Sequence, residues 1–148
     1  MITRILVATA MLAGCTSMAP TGSTTFSLDD SKWELVAIQS MDDAEGTTQF
    51  DGPKLYSISF AAGGRASLRI DCIHGAATWK AMALAEPSSG TMEFGAFATT
   101  KAFCPPGSHE RKVLRDLPYV RSYLLKDGKL YLFLMADGGV YEWRPALH

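Results

Sequence analysis

Residues 119–136 read YVRSYLLKDGKLYLFLMA and carry the clearest structural signal in the chain. Two largely apolar segments, each typical of a β-strand, flank Asp127-Gly128. An Asp-Gly pair in this setting indicates a two-residue hairpin, because both central residues of such a turn adopt positive φ. The stretch therefore predicts two antiparallel strands, at 119–125 and 129–136.

A two-residue hydrophobic period continues on both sides of this hairpin. Apolar and polar side chains alternate most clearly at 56–60 and 66–72, which is typical of half-buried strands. Further strands are predicted at 33–38, 77–85, 91–100 and 140–143. The alternation in the segment 66–72 places Cys72 on the apolar face of its strand.

One helix is expected, at about 108–117. Ser108 is a suitable N-cap, Glu110 would lie in the first turn, and Pro118 would end the helix. The side chains expected to face the sheet are Val113, Leu114 and Leu117. About eight short strands and one helix predict a mainly β fold of the α+β type: a single small antiparallel β-barrel or sandwich.

Composition and charge exclude several classes of protein. The 148 residues hold 14 Lys and Arg against 15 Asp and Glu, and 47% are hydrophobic. This is the composition of one globular domain, and it lacks the basic surface that nucleic-acid binding requires. The chain is also too short for a dinucleotide-binding domain with a substrate domain.

The first fifteen residues have the features of a sorting signal. The apolar stretch 5–12 would cover about 12 Å as a helix, too short for a hydrocarbon core of roughly 30 Å, so it is interpreted as a signal-peptide core. The following Leu12-Ala13-Gly14-Cys15 resembles the bacterial lipobox, in which the cysteine thiol receives a diacylglycerol and palmitate is the expected acyl chain. Thr16, rather than Asp, follows that cysteine, which by resemblance to the enterobacterial sorting rule favours the outer membrane over retention in the inner membrane.

These features predict a signal peptide at 1–14, a lipidated Cys15 with a flexible tether over 15–30, and one domain at 31–145. The tether is rich in Ser, Thr, Gly and Pro. Cys72 and Cys104 then remain in a compartment that permits disulfides, and we expect them to be bridged.

Charge is distributed unevenly along the chain. Residues 16–60 carry a net charge of −5, and residues 100–130 carry +4. Within the second segment, Arg111, Lys112 and Arg115 form a candidate patch for an anion or an acidic partner. The alternative is that the two oppositely charged surfaces attract each other within one domain.

No pattern in the chain predicts catalysis, a cofactor or a metal. Asp71-Cys72-x-His74 could place a base beside a thiol, but a bridged sulfur is not a nucleophile. His74, His109 and His148 lack the spacings of metal sites. The aromatic residues could line a pocket or fill the core: Trp33, Tyr56, Trp79, Tyr123, Tyr131, Tyr141 and Trp143.

Taken together, the motifs resemble the META domain of HslJ-type bacterial envelope proteins over about residues 31–145. The matching motifs are Trp33-Glu34-Leu35, Phe60-x-x-x-Gly64, Asp71-Cys72 with Gly75 and Trp79, Thr100-Lys101-Ala102-Phe103-Cys104, Asp127-Gly128-Lys129-Leu130-Tyr131-Leu132 and Gly139-x-Tyr141-x-Trp143. Ile73 is a departure, because family members usually have Asn after this cysteine. The resemblance implies a mostly β domain with one helix, no established enzymatic activity, and a role in envelope stress or antibiotic tolerance.

The sequence therefore predicts a non-enzymatic outer-membrane lipoprotein that faces the periplasm. Its partners would be the membrane, through the lipid anchor, and an envelope protein; we expect a monomer that binds no nucleic acid. The alternative function is that of a periplasmic inhibitor of a lytic enzyme, of the lysozyme-inhibitor type.

Overall fold

The computed structural model describes residues 27–52, 55–84, 86 and 88–147, in which antiparallel strands close into a barrel. The eight barrel strands are β1 (Ser31–Gln39), β3 (Tyr56–Ala61), β4 (Arg65–Ile70), β5 (Ile73–Ala83), β6 (Ser89–Phe94), β8 (Val120–Lys126), β9 (Lys129–Leu134) and β10 (Val140–Pro145). They pair in that order, and β10 closes the barrel by pairing with β1. Two short strands are added outside this circuit: β2 (Thr47–Gln49) pairs with β1, and β7 (Ala98–Thr99) pairs with β5.

The predicted fold class is confirmed, and the Asp-Gly hairpin has the expected geometry. Lys126 is paired with Lys129, and the two turn residues between them, Asp127 and Gly128, have φ values of 54° and 73°. Positive φ at both positions is the conformation that such a tight turn requires. The strands that it joins, β8 and β9, agree with the prediction to within two residues at each end.

Tertiary contacts shift several predicted boundaries. Ile70 and Ile73 pair directly, so Asp71 and Cys72 form a two-residue turn, and Asp71 has a φ of 55°. The prediction that Cys72 lies on the apolar face of a strand is therefore wrong. His74, which lies between the predicted strands 66–72 and 77–85, is the second residue of β5.

The predicted strand 91–100 is divided at Gly95. A Cβ at this position would lie 2.2 Å from Thr78 Oγ1, because the backbone passes close to β5 as it leaves β6. The chain resumes pairing with β5 only at β7. β2 lies within the polar segment 41–53, for which no strand is predicted.

The helix, α1 (Glu110–Asp116), is shorter than predicted and is followed by a 3-10 helix (Leu117–Tyr119) that contains Pro118. Its N-cap residue is His109 rather than Ser108. A tertiary contact acts at this point: the Tyr56 hydroxyl accepts a hydrogen bond from His109 N (3.0 Å) and lies 3.3 Å from Ser108 Oγ, which in turn accepts from Glu110 N (3.4 Å). This tyrosine therefore fixes the backbone where the helix begins.

The barrel interior is filled with side chains. Trp33, Tyr123, Tyr141 and Trp143 are buried, and the other aromatic residues singled out above are half-buried. Aromatic residues therefore form much of the core. Leu28, which the sequence assigns to the tether, is also buried in this core, so the folded domain begins before residue 31.

The two ends of the barrel differ in what they carry. At one end β1 begins, and the β3–β4, β5–β6 and β8–β9 connections lie there because the strands are antiparallel. We call it the tether end, because the predicted tether (15–30) joins β1 there. The opposite end, here the helix end, carries the Asp71-Cys72 turn and α1, whose Val113 is fully buried in the core.

A buried polar cluster joins α1 to the barrel wall. The Tyr141 hydroxyl on β10 donates a hydrogen bond to Asp116 Oδ2 (2.8 Å), and both residues are buried. Arg115 Nε donates to the other carboxylate oxygen at 3.0 Å, and Lys112 Nζ lies 3.5 Å from Asp116 Oδ2. The carboxylate is thus paired on both oxygens, which offsets the free-energy cost of its burial. Burial and this hydrogen bond raise the pKa of Tyr141.

We expect Tyr141→Phe to lower the free energy of unfolding at neutral pH by about 1–3 kcal/mol, because buried Asp116 loses one donor. Since the pKa of Tyr141 is raised in the fold, the wild type should also lose stability above about pH 10, where tyrosine ionises in the unfolded chain. The variant should lose less over that range.

Urea denaturation at neutral pH and at about pH 10.5 measures both effects. Tyr131→Phe is the matched control, because its hydroxyl makes no hydrogen bond within the described part of the chain. Equal stability of wild type and Tyr141→Phe at neutral pH would contradict the anchoring role of the cluster.

Candidate functional site

Cys72 and Cys104 are joined by a disulfide at the helix end of the barrel (Cα–Cα 5.4 Å). The bond links the β4–β5 turn to the segment that leads into α1, across a sequence separation of 32 residues. Both cysteines are half-buried. In this state neither sulfur is a nucleophile, so the motif Asp71-Cys72-x-His74 presents no thiol.

The segment just before Cys104 is held at both ends. Thr100 N donates to the His74 carbonyl oxygen (2.8 Å), and His74 N donates to Thr100 Oγ1 (3.0 Å). Four residues further on, the disulfide fixes Cys104. Residues 101–103 are therefore a short exposed loop between two fixed points; we call it the Phe103 loop.

The Phe103 side chain is 99% exposed. A single exposed apolar residue is common on protein surfaces, but a fully exposed aromatic ring on a constrained loop is less so. Such rings are frequent anchors at protein interfaces, and fixing the loop in advance lowers the entropy lost on binding. Phe103 is not among the site residues predicted from the sequence; the signal that could have indicated it is an aromatic residue directly before a bridged cysteine and two prolines.

The predicted basic patch is largely neutralised by neighbouring carboxylates. Lys112 Nζ lies 3.1 Å from Glu45 Oε2, and both Lys112 and Arg115 contact Asp116. Arg111 is 89% exposed at its side chain and contacts only Glu110, at 3.7 Å, among the described residues. The Lys112–Glu45 pair joins the acidic and basic segments directly, as the alternative of attraction within one domain predicts.

The histidines are dispersed. His74 is exposed on β5 opposite Arg69, and the His109 ring packs edge-on against Phe50 at 5.3 Å. His148 lies outside the described residues. Within the part of the chain that the structure describes, no three His, Cys, Asp or Glu side chains are grouped to hold a metal ion.

The predicted signal peptide at 1–14, the lipidation site Cys15 and residues 16–26 of the tether lie outside the described residues. Among the residues from Ser27 to Leu147 that are described, no helix is long and apolar enough to span a bilayer.

The sequence model of the META domain matches residues 26–145. The chain belongs to the META domain family. The match covers the barrel strands, α1 and the disulfide, and it begins just before Leu28, in agreement with the burial of that residue. Comparison with curated proteins gives no significant match.

Two solved structures share the META-domain fold of this chain. One is the NMR structure of a protein from Burkholderia xenovorans, with a TM-score of 0.61 and 18% identity, covering 96% of this chain and 100% of that one. The other is the crystal structure of a DUF4847 family protein from Bacteroides vulgatus ATCC 8482, with a TM-score of 0.50 and 12% identity, covering 79% and 93%. At these identities the similarity concerns the fold alone.

Removing the disulfide should destabilise the META domain strongly. We expect the double variant Cys72→Ala/Cys104→Ala to lose about 2–5 kcal/mol of unfolding free energy, as is typical of small bridged domains. Denaturant titration of the variant, beside the wild type with and without a reducing agent, measures this loss. An oxidised wild type no more stable than the reduced protein would show that the bond contributes nothing.

Proposed function

We propose that this protein is a non-enzymatic outer-membrane lipoprotein whose META domain binds an envelope partner and contributes to stress tolerance. The observation that carries the proposal is the motif Leu12-Ala13-Gly14-Cys15. A short predicted tether connects this motif to a closed barrel that is filled with side chains and bridged by a disulfide. A barrel filled with side chains leaves its exterior for binding.

The Phe103 loop is the surface that we assign to the partner. It lies at the helix end, opposite the end where the tether joins the domain. Phe103 supplies exposed aromatic area, Lys101 supplies an exposed cation two residues away, and the fixed points at Thr100 and Cys104 limit the motion of the loop. Aromatic side chains, Phe among them, are enriched in the cores of protein interfaces.

Anchoring is tested by the intact mass of protein purified from the cell envelope. The expected mass is that of residues 15–148 plus acyl chains, with no alkylation by a thiol reagent under denaturing, non-reducing conditions. A mass without acyl chains would exclude the lipid anchor, and alkylation of Cys72 and Cys104 would exclude the bridge in the cell.

Binding is tested by capture from envelope extract on immobilised protein. We expect Phe103→Ser to reduce recovery of a specific partner at least about tenfold, the effect of a modest interface hot spot. Met41→Ser is the matched control, because Met41 is also exposed (60%) at the helix end but outside this loop. Equal recovery by both variants would remove the Phe103 loop as the binding surface.

The second candidate function is inhibition of a lytic enzyme. One observation favours it: a loop fixed at both ends with a protruding side chain is a suitable shape for entering the cleft of a hydrolase. The two candidates are separated by identifying the captured partner and assaying it. Inhibition of a cell-wall hydrolase that Phe103→Ser abolishes would favour the inhibitor, whereas a partner without hydrolytic activity would favour the scaffold.

A further inference from the structure

Large apolar side chains are exposed at the tether end of the barrel. Met82 is 72% exposed, Leu84 is 62% exposed and Leu147 is 80% exposed. Met82 and Leu84 belong to the β5–β6 hairpin, and Leu147 follows β10, where Ala146 N donates to the Lys32 carbonyl oxygen at the start of β1. All three therefore lie at the end where the described chain begins.

The β5–β6 hairpin projects beyond the neighbouring strand. β5 pairs with β4 only as far as Thr78, whereas its pairing with β6 continues to Ala83. The last residues of β5 therefore extend past the edge of β4. The last four residues of β5 are all exposed, whereas Ile73 and Ala77 earlier in the strand are buried.

The outer wall of this hairpin is apolar and carries little net charge. A groove of about 700 Å³ lies there; the exposed residues Ala81, Met82 and Thr91 line it over the buried Met92, and Lys80, Glu93 and Arg121 flank it. Lys80 and Glu93 form an ion pair with each other. The Lys80 and Glu93 charges cancel and Arg121 leaves one positive charge, so the surface is suited to an apolar occupant with zwitterionic or anionic headgroups, as in a bilayer.

The beginning of the described chain lies against the same hairpin. Ser27, Leu28 and Asp29 form a cleft of about 290 Å³ together with residues of β5 that include Ala81 and Ala83. Leu28 is buried, which fixes the point at which the chain leaves the domain. Twelve residues separate Leu28 from Cys15, and as a coil they would reach roughly 20 Å.

We propose that the tether end rests on the lipid bilayer through Met82, Leu84 and the apolar wall of the β5–β6 hairpin, with the Phe103 loop directed away from the membrane. This inference rests on the proposed acylation of Cys15. The lipid chains provide the affinity and hold the domain at the surface, and the hairpin side chains then set its orientation. The tether end is the end nearer to the anchor, because the described chain begins there against the β5–β6 hairpin and twelve residues separate Leu28 from Cys15.

Photocrosslinking in reconstituted vesicles tests this orientation. Acylated protein purified from the envelope is incorporated into vesicles of phosphatidylethanolamine and phosphatidylglycerol that contain a diazirine-labelled phospholipid. Lipid adducts are then located by peptide mass spectrometry. We expect adducts on the peptide that contains Met82 and Leu84, and about tenfold fewer on the peptide that contains Phe103.

A pair of matched variants makes the test specific. Met82→Ser/Leu84→Ser should reduce adducts on the hairpin several-fold, whereas Met41→Ser/Phe103→Ser, which removes comparable exposed area at the helix end, should not. All four side chains are exposed, so the substitutions should leave the core intact, and unchanged melting temperatures verify this.

The outcomes separate this inference from the proposed function. Protein that floats with the vesicles but carries its adducts on the Phe103 peptide would overturn the orientation and leave the anchor in place. Protein that lacks acyl chains and does not float would overturn both. Concentration-dependent dimers that dissociate in Met82→Ser/Leu84→Ser, without hairpin adducts, would assign the surface to a second copy of the chain and also overturn the proposal.

Discussion

The pairing of β1 with β10 closes the sheet and places the first and last strands of the domain side by side. Glu34 and Arg144 face each other across this seam, and Arg144 Nη2 lies 3.4 Å from the buried Glu34 carboxylate. Closure gives every barrel strand a neighbour on both sides and encloses the aromatic core. It also fixes the polarity of the molecule, because both chain ends of the domain then lie at the tether end and α1 lies at the other.

The helix end depends on two further connections of different chemistry. The disulfide joins the β4–β5 turn to the segment before α1, and the hydrogen bond from Tyr141 to Asp116 joins α1 to β10. Between them they fix the chain at Cys104, directly after the Phe103 loop, and at Asp116, directly before the 3-10 helix. An exposed aromatic ring held on such a support is suited to binding. The cations of α1 are less available to a partner, because Lys112 pairs with Glu45 and Arg115 pairs with Asp116 within the domain.

Local signals were reliable where the chain's own backbone chemistry decides the structure. Asp127-Gly128 predicted its hairpin because the two residues tolerate positive φ. The alternation of apolar and polar side chains placed the ends of β3 and β4 to within two residues. Local sequence signals gave wrong predictions where a contact with a residue distant in the chain determines the structure. The N-cap is His109 rather than Ser108 at a point where Tyr56, 52 residues before Ser108, contacts the helix start, and the strand predicted across Gly95 breaks where the backbone approaches Thr78.

At the candidate site, too, some features could be predicted from the sequence and others could not. The pairing of Cys72 with Cys104 and the charges at 111, 112 and 115 are evident from the sequence, but the partners of those charges are not. Phe103 is not among the predicted site residues, because its exposure depends on where β7 and the disulfide place the loop. By itself the sequence determined the mainly β fold, the family and the cysteine inventory, since periodicity, turn chemistry and residue identity are local properties. Only the tertiary structure decided that the sheet closes, which cations are neutralised and which apolar side chains remain exposed, because each depends on contacts between residues far apart in the chain.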